Sequence, residues 1–217
     1  MRKQLSNVWQ IENEFYLKSS PSRIKKIISH YEIFKKTLKV PGCMVECGVF
    51  KGNSFQRFLV FRDILANEKK KFFGFDVFGK FPNQENRKDN KFANFHNKKI
   101  GLGISMLKLN QTFKSKKFKN FSLVKGPIEK TLDIFLKNNK RLKISFLHLD
   151  LDVYKPTFFA LEKLYKKVSK GGVILLDDYG KILGATKATN HFLKKNKIKQ
   201  KIQSSIFDKK LMFLIKK

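Results

Sequence analysis

Two stretches decide the fold: ISFLHLDLDVYKP at residues 144–156 and GGVILLDDYG at residues 171–180. Each is an apolar run of strand length that ends at aspartates and breaks into a turn. Between them, Thr157 to Val168 carries apolar residues at helical spacing. Strand, helix and strand in that order make a βαβ unit, whose two strands run parallel. The pattern repeats outward along the chain. Strands are read at Met44–Cys47, Phe72–Phe75, Phe121–Val124, Ile144–Leu149 and Val173–Leu176, and helices at Phe55–Ala66, Ile128–Lys137, Thr157–Val168 and Leu183–Lys194. Near the end, Lys201–Phe207 and Leu211–Ile215 lie too close together for a crossover helix and read as an antiparallel hairpin. The pattern predicts an α/β protein with a Rossmann-like, seven-stranded, mainly parallel sheet and a C-terminal antiparallel hairpin.

Without repeats or a linker, residues 1–217 read as a single domain. Residues 1–41 form a helical N-terminal extension, capped internally at Ser20-Pro21-Ser22, with Ile24, Ile27, Ile28, Tyr31, Ile33 and Phe34 at mostly helical spacing. Residues 77–120 are polar, rich in Lys, Asn and Phe, and the least regular part of the chain. A long excursion over strand ends reads as a lid or substrate loop, the alternative being a disordered insertion.

Hydrophobic residues make up 41% of the chain, enough for a core, and this excludes disordered and fibrous classes. Lys+Arg 48 against Asp+Glu 17 leaves a net charge of +31, which ordinarily points to nucleic acid or an anionic surface. Here the excess is nearly all Lys and accompanies 23 Phe, so drift toward AT-rich codons accounts for much of it. Nucleic acid is therefore not the expected partner. Cys43 and Cys47 are too few for a disulfide scaffold, and no uncharged apolar stretch of about 18 residues or cleavable leader occurs. These features predict a reduced, cytoplasmic protein without a membrane span.

The scarce acids carry the functional signal. Glu46, Asp76, Asp150, Asp152, Asp177 and Asp178 fall in or just after strand runs, and in an open parallel sheet ligands bind beyond the carboxyl ends of the strands. Glu46-x-Gly48-x-x-x-Gly52 gives the first strand-to-helix turn glycines for a sharp bend and close approach to a ligand. Asp76, ending the second strand, can accept from both hydroxyls of a ribose or can cap the next turn. Asp150 and Asp152 project from one face if the strand stays extended. With Asp177 and Asp178 beside them they would repel, and protonation, a cation or surplus lysines must relieve it. Four hard oxygen donors favour Mg²⁺, Mn²⁺ or Ca²⁺ over zinc. His148, two before Asp150, can reach the site or be a core imidazole. His96 lies in the lid segment, and His30 and His191 read as ordinary helix residues.

In order and spacing, VECGVFKG, FGFDVFGKFP, LVKG, FLHLDLDVYKPT and GGVILLDDYG resemble the macrocin-type sugar O-methyltransferases, from about Pro41 to about Phe192. The resemblance implies a class I methyltransferase that uses S-adenosylmethionine and Mg²⁺ (or Mn²⁺) to methylate a hydroxyl of a deoxysugar, nucleotide-linked or part of a glycan or glycoside. It assigns Glu46, Gly48, Gly52, Ser54, Asp76 and Gly126 to the cofactor and Asp150, Asp177 and Asp178 to the metal. Asp152 becomes the candidate general base, with His148 as the other catalytic candidate. Pro127-Ile128 after Gly126 departs from the family's small or acidic residue and aromatic, and the N-terminal and 77–120 segments match least. A homo-oligomer is also implied. The alternatives are a catechol-type O-methyltransferase and a nucleic-acid-binding or -methylating protein. The latter lacks the Asn- or Asp-Pro-Pro-aromatic stretch after the fourth strand.

Overall fold

The computed structural model describes residues 2–65 and 67–217, with side chains from Asn7 onward. Ala66, the expected end of one helix, lies outside the described residues. Strands β1 (Cys43–Cys47), β2 (Phe72–Asp76), β3 (Phe121–Lys125), β4 (Ile144–Leu149) and β5 (Val168–Leu176) are parallel, and β6 (Gln203–Ser204) and β7 (Met212–Ile215) complete the sheet antiparallel. The order is β3-β2-β1-β4-β5-β7-β6. The chain therefore steps outward from β1, then returns to place β4 against β1's other edge. The reversal opens a crevice at the carboxyl ends of β1 and β4, where an open α/β sheet binds its ligand.

Helices cover both faces. On one side α2 (Pro21–Lys35), α3 (Asn53–Ile64) and α5 (Met106–Ser115) bury Phe34, Phe58 and Phe113; on the other, α6 (Ile128–Asn138), α7 (Tyr154–Leu164) and α8 (Leu183–Lys195) bury Leu132, Leu161 and Phe192. Much of the first core is phenylalanine: Phe55 stacks on Phe72 at 3.9 Å between centroids, and Phe58 lies 4.7 Å from Phe146. Burying each ring contributes roughly 1.5–3 kcal/mol. β4 is buried at every position, as an inner parallel strand must be.

The N-terminal extension is helical, as α1 (Arg2–Lys18) and α2, and Ser20 caps α2 by accepting the Ser22 N–H at 3.3 Å with Pro21 in the first turn. The segment 77–120 differs from the irregular stretch expected. It contains α4 (Arg87–Lys99) and α5, started by Asn86 and Ser105, whose side chains accept the Lys88 and Lys108 N–H groups. Leu109 and Phe113 anchor α5 in the core, so much of this segment is regular structure packed on the sheet. The hairpin is shorter than expected, because β6 pairs through only Gln203 and Ser204 and both are exposed. Among the described residues no helix is long and apolar enough to cross a membrane.

Candidate active site

The β1–α3 turn sets the shape of the crevice. Gly48 has φ +94°, and a Cβ built on it would lie 1.8 Å from the Asp150 carbonyl oxygen. Only glycine permits this crossing of the β1 and β4 ends. Asp76 then ties the turn to β2: its Oδ2 accepts the Val49 and Phe50 N–H groups, each at 2.8 Å, and its Oδ1 accepts the Phe78 N–H at 2.6 Å. Phe50 and Phe78 both sit at φ 52°, a left-handed conformation that these bonds hold in place. Asp76 thus caps two turns and still borders the cavity.

That cavity, about 810 Å³, is lined by Gly48, Ser54, Asp76, Gly126, Asp150 and Asp152 among others. Glu46, Gly52, His148, Asp177 and Asp178 are not among its lining residues. Gly52 instead starts α3 at φ +81°, where a Cβ would meet Leu109 of α5 at 2.6 Å. Glu46 is fully buried and accepts the Ser54 hydroxyl at 2.5 Å, so it reaches the cavity only through Ser54.

The acids converge, but by a route other than the extended strand expected. β4 stops at Leu149, and Val153 N–H closes a three-residue turn onto Leu151 O at 2.6 Å with Asp152 at its centre, φ 61°. Such a turn is strained and needs surrounding support. Asp178 supplies it, accepting the Asp152 N–H at 2.9 Å, while the Asp152 carbonyl accepts the Ala185 N–H at 3.0 Å. Carboxylate oxygens of Asp150, Asp177 and Asp178 come within 4.8 Å of one another. Burial, then the neighbouring acids, pushes Asp152 and Asp178 each up to about 8 and Asp150 well above the usual carboxylate range.

Asp177 is the exception. Burial alone would raise it, but His148, His30 and Lys26 outweigh burial and hold it well below that range. Lys26 Nζ, from α2, is 2.8 Å from Asp177 Oδ2, and Lys181 Nζ is 3.5 Å away. Lysine neutralisation is therefore present, at Asp177. Its Oδ1 faces His148 Nε2 at 3.6 Å and His30 Nε2 at 3.7 Å, too far for hydrogen bonds, and remains buried without a partner. Burial would lower His148, yet Asp177 and Glu46 on its two ring nitrogens raise it to about 10. His148 is fully buried and is not among the residues that line the cavity, so it meets the acids from behind the cavity wall. His30 goes the other way, to about 3, because burial dominates. Its Nδ1 lies 3.1 Å from Arg57 Nη1; a guanidinium only donates, so His30 Nδ1 accepts and the ring proton sits on Nε2, toward Asp177.

A profile of the macrocin O-methyltransferase (TylF) family matches residues 22–213. This chain belongs to that family. It is an S-adenosylmethionine-dependent O-methyltransferase. Among solved structures it is similar to the O-methyltransferase NovP, at 21% identity over 89% of this chain and 80% of NovP with a TM-score of 0.77. It is also similar to the calicheamicin methyltransferase CalS11, at 21% identity over 96% of this chain and 85% of CalS11 with a TM-score of 0.78. An apo structure of CalS11, described as a TDP-rhamnose 3'-O-methyltransferase, gives 0.70. These likenesses bear out the Rossmann-like fold. No curated relative matches.

Within this macrocin-family site, the residues missed by motif reading come from the helices. Arg23 and Lys26 of α2 and Arg57 of α3 line the cavity, and His30 joins the buried network. Positions 23, 26 and 30 share one face of α2, and Arg57 lies one turn beyond Ser54. From the 77–120 segment, Phe81, Phe92 and His96 pack with Phe50 at the cavity edge, His96 being 5.0 Å from Phe50 between centroids. His191 is the surface helix residue expected, stacked on Phe158.

Proposed function

We propose that the enzyme methylates a hydroxyl of a deoxysugar-type acceptor, assisted by Mg²⁺ or Mn²⁺, with Asp152 as the general base. The observation that carries this reading is Asp152 itself. It is held in a strained turn at the cavity wall, two residues beyond Asp150, which belongs to a three-carboxylate cluster and whose carbonyl the Gly48 turn abuts. The residues present suit both groups. Gly48, Ser54, Asp76 and Gly126 all line the cavity, and the two glycines leave backbone open to a nucleoside and its methionine chain. Asp150, Asp177 and Asp178 offer hard oxygens, and Asp177 Oδ1 lacks a partner. When bound, the ion supplies positive charge that lowers the pKa of nearby acids and of the acceptor hydroxyl and holds a vicinal diol in one orientation.

The rest falls to side chains of this chain. At neutral pH an isolated Asp152 at about 8 is mostly protonated. With its neighbours' charge neutralised it is ionised and accepts the hydroxyl proton. S-adenosylmethionine held in the cavity would supply an electrophilic sulfonium methyl to the acceptor oxygen and leave as the neutral thioether, while Asp152 would keep the proton that the oxygen gives up. Asp178 keeps Asp152 aimed through its backbone N–H, and Ser54, held by Glu46, borders the methionine end. The aromatic edge of Phe50, Phe81, Phe92 and His96 suits the apolar face of a sugar ring. Methyl transfer to a nucleotide-linked deoxysugar, compared with a catechol and measured with Mg²⁺ and in EDTA, tests this reading. Full activity in EDTA removes the metal, and preference for the catechol removes the sugar.

A further inference from the structure

Two guanidiniums line the cavity without an ion pair among the described residues. Among the described residues neither Arg23 nor Arg57 has a carboxylate within 4.0 Å, whereas Lys155 pairs with Glu85 and Lys26 with Asp177. Arg57 is only half-exposed, and its side-chain polar partner is the neutral ring of His30. Leaving a partly buried guanidinium unpaired is costly. Arg62 shows what this chain does with a purely structural arginine: it is fully buried, on Asp63 and on the carbonyls of Lys70, Lys119 and Asn120. Codon drift does not explain the two guanidiniums either, since only six of the 48 basic residues are arginine and two of the six face this cavity.

We propose that Arg23 and Arg57 form an anion subsite that holds a phosphate or carboxylate group of the acceptor while its hydroxyl lies at Asp152. Guanidinium forks are suited to bidentate recognition of such groups, and the two arginines are near enough to disfavour each other's charge until an anion arrives. The inference rests on the sugar-methylating reading and narrows its substrate class to acidic acceptors. Arg23 belongs to α2, outside the βα units that carry Gly48, Asp76 and Gly126, whereas Arg57 lies one turn beyond Ser54 on α3; an anion that binds with S-adenosylhomocysteine already in place therefore reports the acceptor rather than the cofactor's carboxylate.

Calorimetry on the S-adenosylhomocysteine complex at fixed ionic strength tests it, with inorganic pyrophosphate and glucuronate titrated in parallel to tell phosphate from carboxylate. Arg23→Gln, which removes a charged bond, and Arg57→Lys, which keeps the charge but loses the bidentate fork, should each weaken the preferred anion roughly tenfold or more. Lys170→Gln, exposed at the far end of β5, should leave affinity unchanged. An equal loss in Lys170→Gln, no binding by the wild type, or weakened S-adenosylhomocysteine binding with anion affinity intact each overturns the subsite. Kinetics separate it from the parent reading. A deoxysugar carrying the preferred anion, as a nucleotide diphosphate or as a uronate, should exceed its neutral methyl glycoside at least tenfold in kcat/KM. Equal use of both overturns the subsite alone, and transfer to neither with anion binding intact overturns the sugar reading alone.

Discussion

Replacing Lys26 by methionine isolates the contest at Asp177. The ammonium lies 2.8 Å from Oδ2, with 23% of the lysine side chain and 6% of the aspartate side chain exposed. Methionine keeps the length and packing but removes the charge. Breaking a buried pair by deleting one partner costs roughly 3–5 kcal/mol. His148 and Lys181 remain near Asp177, so about 3 kcal/mol, the low end, is expected. For a chain of this size that lowers the melting temperature by roughly 6–12 °C in EDTA. A divalent ion then meets an Asp177 no longer held by lysine. Mg²⁺ should therefore bind Lys26→Met more tightly than wild type and raise its melting temperature further. Differential scanning calorimetry in EDTA and across a Mg²⁺ series measures both effects. Unchanged melting in EDTA would mean that the pair contributes nothing, and loss of the Mg²⁺ response would mean that Lys26 supports the ion site instead of competing for it.

Asp152→Asn should slow turnover on the order of 10²- to 10⁴-fold while S-adenosylhomocysteine binding by calorimetry stays near wild type; unchanged turnover removes Asp152 as base. Asp76→Ala releases the Val49, Phe50 and Phe78 N–H groups together, and cofactor affinity should fall at least tenfold; intact affinity would mean that the turn holds without it. Between pH 6.5 and 8 in EDTA, stability should fall as pH rises. Asp152 and Asp178, at about 8 when folded against 3.8 in the open chain, and His148, at about 10 against 6.5, all bind more protons in the native state there. Each proton of difference contributes up to about 1.4 kcal/mol per pH unit. Below 6.5 His30, lowered to about 3, opposes them, so the descent should flatten. Chemical denaturation at several pH values shows the slope, and a rise across 6.5–8 contradicts these assignments.

Strands were legible wherever burial on both faces forced an unbroken apolar run, as in Ile144–Leu149, which matches β4 end to end. The acids were legible because strand ends in a parallel sheet face one crevice. Local turn chemistry was not: alternation along a strand puts Asp150 and Asp152 on one face, but the chain leaves the strand before Asp152, and no pattern marks its φ of 61°. α4 escaped notice because RKDNKFANFHNKK buries only Ala93 and so shows no apolar stripe. The α2 cations were hidden for the opposite reason. In a chain with 48 basic residues, Arg23 and Lys26 facing a cavity look the same as any solvated helix face. His148 read as either a site or a core imidazole and His30 as an ordinary helix residue; both are buried, but pairing across α2, β4 and β5 is a long-range property that spacing along the chain does not encode.

An anomalous difference map from crystals grown with Mn²⁺ and S-adenosylhomocysteine bears most directly on the carboxylate cluster. A peak touching Asp150, Asp177 and Asp178, with the Lys26 ammonium drawn away from Asp177, is the expected result. A map without that peak, and with Lys26 still 2.8 Å from Asp177, would show that the acids are balanced by the protein's own lysine and contradict the metal-assisted mechanism.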